Sequence, residues 1–446
     1  MKKMMLIILS LFLLGSTVFA SGQQEEPKKE DAKSKEPAKA EVVSINKEIS
    51  SPVTVEFWHG MSAKLGETVE LLADEFNQTI GAEKGITVVP VFQGGYTDLK
   101  QKLTASIKAG TAPVISQGYS NYIAEFMQAD VVVALNDYIY DSEVGIKDFE
   151  DIFPGYRAEN CQIDGKTFYS LPFNKSTEVI FYNKTFFEEN GYEVPKTWDE
   201  MSALCKTIYE KTGKPGMGYD SLDNYMITMI QQFGGKYTDA QGNIYYSQND
   251  AAVKAINLFK ENFDKGYWRI AGEDKYLSGP FGNADVYMYI GSTAGASYVK
   301  PNGFEWDSAP IPYVSADKKA AIQQGTNVFL MNQNKSDEEV YAGYEFIKYL
   351  VSKDANFIWS TNTGYLPIRK SVVESPEYKK FLATTTDTTK ISGPAQGDYY
   401  FYEPGFFTPN YSSYDVRVSL RAAVEDALLN GTDAKTAVDT AYGKLK

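Results

Sequence analysis

Apolar and polar positions change period several times along the chain, and the changes mark its elements. Val53, Val55 and Phe57 alternate with Thr54 and Glu56, which predicts a strand over Val53–Trp58. Leu65, Val69, Leu72 and Phe76 then fall at helical spacing and predict an amphipathic helix. A second strand is expected over Ile86–Phe92, a second helix over Asp98–Ala109 with Gly110 ending it, and a third strand over Pro113–Ser116. Strand, helix, strand, helix, strand implies βαβ units and an α/β fold with mainly parallel sheets flanked by helices. Ligands in such sheets bind beyond the carboxyl ends of the strands. Here those ends are Trp58-His59-Gly60, Gly94-Gly95-Tyr96 and Gln117-Gly118-Tyr119-Ser120.

A second α/β pattern follows Leu171. Strands are expected at Val179–Tyr182, Val286–Ile290 and Val328–Met331, and helices at Ala251–Phe263 and Val340–Leu350. Thr197 with Glu200 three residues on forms a capping box that starts a helix over Trp198–Lys211. Residues 416–446 read as helical, broken near Asn430-Gly431. Ahead of the fold, residues 1–20 have a basic start, a short apolar run and a small-residue ending, so an export signal cut after Ala20 is expected. An uncleaved anchor is the alternative, and Ser16, where a lipoprotein would need Cys, argues against a lipid anchor. Residues 21–51, rich in Lys, Glu, Ala and Pro, are expected to be a flexible charged spacer.

Composition then narrows the function classes. The 446 residues carry a formal charge of −14 and no basic block, which argues against a nucleic-acid partner. His59 is the lone histidine, so His-based metal sites and Ser-His catalysis are not expected. No nucleotide-binding glycine motif occurs, and no cofactor or metal is expected. Cys161 and Cys205 lack CxxC spacing, and their spacing leaves pairing open. The segment 398–414 is crowded with aromatics, from Tyr399 to Tyr414, and packing against the C-terminal helices is expected.

Three further segments carry a resemblance. Pro172-Phe173-Asn174 leads into Val179-Ile180-Phe181-Tyr182-Asn183-Lys184, Val194-Pro195-Lys196-Thr197-Trp198 follows, and Thr363-Gly364-Tyr365-Leu366-Pro367-Ile368 comes late. In this order they resemble the type 1 extracellular solute-binding proteins of ABC importers. Phe57-Trp58-His59-Gly60-Met61 is similar to the motif of that family's glycerol-3-phosphate-binding branch. The resemblance implies a two-lobed periplasmic-binding-protein fold with a ligand cleft between the lobes and three hinge crossings. It implies a first lobe of 52–172 and 326–362, and a second of 173–325 and 363–446, hinges included. It also implies a periplasmic, monomeric receptor, not an enzyme, that works with ABC permease subunits in the membrane.

Carried over position by position, the resemblance implies that Tyr96 touches glycerol and that Ser176, Ser292, the Gly325 N–H, Tyr365 and Arg417 hold phosphate. Ser120 stands where the branch has a Glu that accepts glycerol hydroxyls. The chemistry agrees: an anion in a dry cleft needs several donors and a full positive charge, and Arg supplies a bidentate fork. Trp198 and His59 complete the candidate set, with lobe packing and a strand-end hydrogen bond as their structural alternatives. A phosphorylated polyol or phosphodiester is the first expected ligand, and a neutral mono- or oligosaccharide the alternative. A secreted hydrolase using Glu178, Asp220 and Asp223 is a minor alternative.

Overall fold

The protein, a computed structural model, is described for Ile45 and residues 47–446. The expected export signal and most of the expected spacer lie outside the described residues. The last residues of the expected spacer touch the folded body. Lys47 pairs with Asp141 and Glu143 at 3.0 and 2.8 Å, Ser50 donates to Glu338 at 2.7 Å, and Ile45 and Ile49 pack on an apolar core. Two isoleucines and a doubly paired lysine tie this stretch to the fold.

The described strands are β1 (Val53–His59), β2 (Ile86–Phe92), β3 (Ile115–Gly118), β4 (Leu171–Asn183), β5 (Met217–Tyr219), β6 (Trp268–Ile270), β7 (Met288–Ser292), β8 (Trp306–Pro310), β9 (Ala321–Leu330) and β10 (Tyr400–Phe401). They follow the order β2-β1-β3-β9-β4-β7-β5-β6, with β8 on β4 and β10 on β9. β2, β1 and β3 run parallel, as do β6, β5 and β7. Between these sets β9 runs antiparallel to β3 and β4, and β4 antiparallel to β7 and β8, while β10 runs parallel to β9.

Local rules account for most elements. Helix Ala63–Phe76 buries Leu65, Val69, Leu72 and Phe76 together with Thr68 and Ala73, and exposes Lys64, Glu67, Glu70, Leu71 and Asp74 on the other side. Helix Trp198–Thr212 starts on the expected Thr197/Glu200 capping box. The C-terminal helices Ser413–Leu429 and Ala434–Gly443 flank the expected break.

Two large apolar cores divide the two-lobed body. The first gathers Phe57, Leu72, Phe76, Leu171, Phe346 and Trp359. The second gathers Trp198, Tyr225, Phe259, Trp268, Leu420 and Val424. Tyr365 and Ile368, in the stretch from 363 that the resemblance gives to the hinge and second lobe, pack in the first core. Cys161 and Cys205 lie in different cores as free, buried thiols. Among the described residues no helix is long and apolar enough to cross a membrane.

β4 joins the two halves. Its first part, Leu171–Thr177, pairs with β9, and its second part, Glu178–Asn183, pairs with β7 and β8. The strand is far longer than the Val179–Tyr182 expected from periodicity, because its polar residues are buried too. Asn174, Lys175, Ser176, Thr177 and Glu178 are each at most 2% exposed. Opposite Lys175 on β9 sits Gly325, at φ +101°. A Cβ there would fall 1.8 Å from the Asn174 carbonyl oxygen. Gly325→Ala is therefore expected to cost about 3 kcal/mol, through a forbidden backbone region and a clash inside the crossing. Urea unfolding of wild type and variant measures this, and a cost near zero would contradict the crossing geometry.

Candidate functional site

The hinge strand presents two faces, because side chains alternate along it. Asn174 and Ser176 lie on one face and Lys175 on the other. On the first face Asn174 is the centre of a small knot. Its amide donates to the Tyr96 hydroxyl at 3.0 Å, and its carbonyl oxygen accepts from Gln117 at 2.9 Å and from Thr326. The Tyr96 and Tyr365 hydroxyls lie 2.9 Å apart. The Tyr119 ring packs edge-on to Tyr96 at 5.1 Å. Burial, then neighbouring phenols, pushes the Tyr96 hydroxyl well up, and burial also raises Tyr365, so both are neutral hydrogen-bonding groups.

Tyr96 reaches this knot because Gly94 and Gly95 turn the chain after β2 and Asp98 accepts from the Gly95 N–H at 3.1 Å. Tyr365 reaches it because the loop after helix Lys353–Asn362 is tethered twice. Leu366 N–H donates to the Lys175 carbonyl at 2.7 Å, and the buried Lys390 ammonium donates to the carbonyls of Thr363 and Tyr365.

One step along the same face, the Ser292 hydroxyl at the end of β7 donates to the Ser176 hydroxyl at 3.0 Å. Ser176 in turn lies 3.4 Å from the Gln324 side chain, next to Gly325. The structure thus brings together Tyr96, Tyr365, Ser176, Ser292 and Gly325 along β4, from segments more than 250 residues apart for the two tyrosines.

Arg417 stands on helix Ser413–Leu429, where its charge acts on Tyr119 and Tyr122 of the first lobe. It is already engaged. Nε and Nη2 donate to Asp223 Oδ2 at 3.1 and 2.8 Å, Nη2 donates to Asn224 at 2.7 Å, and Nη1 meets Glu403. Burial pushes the Asp223 carboxyl up, but Arg417, the Ser221 hydroxyl and Arg421 outweigh it and hold it below its ordinary value. Asn224 also donates to Glu178 at 3.0 Å, and Tyr219 donates to the other Glu178 oxygen at 2.6 Å. Glu403 accepts from Tyr237 at 3.2 Å. A cavity of about 400 Å³, lined by Tyr237, Tyr402, Pro404, Gln162 and Lys236 among others, borders this end of the cluster. Its lining does not include Tyr96 or Tyr365, whose hydroxyls satisfy each other.

Three expected site residues stand elsewhere. Trp198 is 2% exposed, donates to Gln232 at 2.8 Å and packs on Tyr225 and Trp268, so it is a core residue of the second lobe. His59 is 1% exposed, accepts from the Met61 N–H at 3.3 Å and packs between Phe57 and Phe92. Ser120 donates to Glu159 at 3.2 Å and accepts from Asn327 at 3.1 Å, within the network around Lys175. Local sequence could not separate these from cleft residues, since strand ends and helix starts also pack. Conversely, Asn174 and Glu403 are not among the expected site residues, and Asp223 enters the sequence reading only as a carboxylate of the minor hydrolase alternative. Asn174 lies inside the quoted hinge motif, whereas Glu403 carries no local signal beyond its charge.

Burial pushes both Glu178 and Asp220 up to about 7, against the hydrogen bonds each accepts. Their neutral forms suit the fold, so the stability they add is complete below the ordinary carboxyl range and is lost as pH rises through about 7. His59, held down to about 4 by burial, acts oppositely: its contribution is complete above its ordinary range and is lost as pH falls towards 4. A comparison of wild type with Glu178→Gln isolates the carboxyl. Between about pH 5 and pH 8 the variant is expected to lose less stability than wild type, by on the order of 2 kcal/mol. Thermal or urea unfolding at both pH values checks this, and parallel pH profiles would refute it.

Comparison with known proteins fits this geometry. A family model described as bacterial extracellular solute-binding protein matches residues 72–386. The chain is 27% identical over 344 residues to the sn-glycerol-3-phosphate-binding periplasmic protein UgpB of Yersinia pestis, covering 73% of this chain and 76% of that one. It is 29% identical to the protein of the same name from Salmonella typhimurium, over 72% of this chain and 75% of that one. Among solved structures, UgpB from Mycobacterium tuberculosis in complex with glycerophosphocholine superposes with TM-score 0.76 at 19% identity, covering 88% of this chain and 97% of that one. Maltose-bound MalE3 of T. maritima superposes with TM-score 0.72 at 21% identity, over 88% and 98%. The strand order, the crossing on β4 and the match over most of the folded body agree, and the chain belongs to the bacterial extracellular solute-binding protein family.

Proposed function

We propose that this protein is the exported, periplasmic receptor of an ABC importer, closing two lobes on a small polyhydroxylated solute and presenting the closed form to the permease. The observation that carries the reading is the gathering of Tyr96, Asn174, Ser176, Ser292 and Tyr365 along the one strand shared by both halves. Phenol faces with hydroxyl and amide groups are what a hydroxylated ligand needs for stacking and hydrogen bonding. Placed at a crossing strand, the same groups can report occupancy as hinge closure. The first lobe comprises about residues 47–172 with 326–382, and the second the rest, the late crossing standing after 382 because Tyr365, Ile368 and the helices following them side with the first core. It acts as a monomer and performs no covalent step.

Two ligand classes are open to such a site. The names of the relatives favour glycerol 3-phosphate or a glycerophosphodiester, with Ser176, Ser292, the Gly325 N–H, Tyr365 and Arg417 around the phosphate. The prior engagement of Arg417 by Asp223 and Glu403 favours the second, a neutral saccharide, and this is the class the geometry supports best. Thermal shift with maltose, glycerol 3-phosphate and glycerophosphocholine tests the receptor reading. One of the three is expected to stabilise the protein, by about 2.7 kcal/mol at a hundred times its Kd. Tyr96→Phe and Tyr365→Phe are each expected to weaken that ligand roughly tenfold, the loss of one hydrogen bond, without lowering the Tm of the free protein by more than a few degrees. No stabilisation by any of the three would refute this choice of solutes.

A further inference from the structure

We infer that Asp223 and Glu403 set the charge selectivity of the site: they convert Arg417 from an anion receptor into a neutral hydrogen-bonding platform, so that the solute is an uncharged, saccharide-type molecule and phosphate monoesters are rejected. The inference rests on the receptor reading above and names the ligand class within it.

The guanidinium offers five N–H donors. Four are used within the protein, two on Asp223 Oδ2, one on Asn224 and one on Glu403. The fork that would grip a phosphate in bidentate fashion is the edge Asp223 occupies. All three partners are largely withdrawn from water, the side chains of Arg417, Asp223 and Glu403 being 19%, 17% and 26% exposed, so solvent screens them weakly. One carboxylate would balance the charge of Arg417, and the second leaves the trio net negative.

The surrounding ionisable groups do not reverse this. Arg421, one turn along the same helix and exposed, acts on Asp223. Glu178 reaches Arg417 through Asn224, and Asp220 acts on Glu178. Arg421 is exposed and screened by solvent, and Glu178 and Asp220, raised by burial to about 7, add little charge, so the balance at the site is set by Arg417, Asp223 and Glu403. A phosphate dianion entering here would displace Asp223 or sit beside it, and like charges at such range cost several kcal/mol. An uncharged polyol meets no such barrier. Asp223 Oδ1 accepts from Ser221 and Glu403 Oε1 from Tyr237, yet each carboxylate has lone-pair sites to spare for ligand hydroxyls. The cavity next to Tyr237 and Tyr402 has room for a sugar ring and offers aromatic side chains for stacking.

The test is titration calorimetry of the full chain, wild type, Asp223→Asn, Glu403→Gln and the double variant, with maltose, inorganic phosphate and glycerol 3-phosphate. The isosteric changes keep the shape of the cluster, and the Tm of each free variant checks folding. Wild type is expected to ignore both phosphates, and each single variant to gain glycerol 3-phosphate affinity roughly tenfold, the double variant roughly a hundredfold, with a dependence on salt. Maltose affinity is expected to fall in the same variants. Tighter binding of glycerol 3-phosphate than of maltose by wild type would overturn the inference. So would the absence of any gain in the variants while wild type still binds maltose, a result that leaves the receptor reading standing. A gain for phosphate esters with no maltose binding by wild type would uphold the charge assignment and point to a different uncharged solute.

Discussion

The rest of the structure depends on one strand being shared by two sheets. β4 pairs with β9 over its first half and lies between β7 and β8 over its second, and twelve of its thirteen residues are buried. A strand in that position has no solvent-facing side, and every polar group on it needs a partner. Lys175 is the extreme case. It is fully buried and meets both Glu159 oxygens at 2.8 Å. Glu159 is further held by Gln323 at 2.5 Å and by Asn327 at 3.1 Å. Breaking a buried pair of this kind leaves an uncompensated charge, at about 3–5 kcal/mol. The pair therefore ties helix Pro154–Asn160 of the first lobe to both crossing strands.

Alternation along β4 turns this constraint into a division of labour. The face with Lys175 is a closed ionic network whose members have few spare hydrogen bonds. The opposite face offers an amide and a hydroxyl to groups arriving from both lobes, Tyr96 and Tyr365 on one hand and Ser292 on the other. The late loop at Tyr365 is likewise fixed to the strand, since it is hydrogen-bonded to the Lys175 carbonyl and pinned by Lys390.

The electrostatics of the site are local and owe nothing to the overall acidity. A chain of −14 could still hold an anion with one well-placed arginine, and a single arginine does stand near the expected place. What decides its chemistry is the company it keeps. Asp223 and Glu403, 194 and 14 residues away in sequence, occupy its donors before any ligand arrives. The scarcity of histidine has a similar local outcome: His59, buried with an unpartnered Nε2, is kept neutral by its surroundings.

Short-range patterns determined a great deal by themselves. The alternation at Val53–His59, the helical spacing of Leu65, Val69, Leu72 and Phe76, and the Thr197/Glu200 box each express a balance between neighbours, and burial needs only one apolar face to satisfy them. The resemblance singles out Tyr96, Ser176, Ser292 and Tyr365, and the structure gathers these four along β4. The tertiary structure alone decided the full length of β4 and β9, because buried polar residues such as Asn174–Glu178 on β4 and Gln323, Thr326 and Asn327 on β9 look exposed until their remote partners are known. It alone moved Trp198 into a core and spent the charge of Arg417. Periodicity records which side of an element meets water, whereas pairing of charges and hydrogen bonds between distant segments is fixed only when the chain has closed on itself.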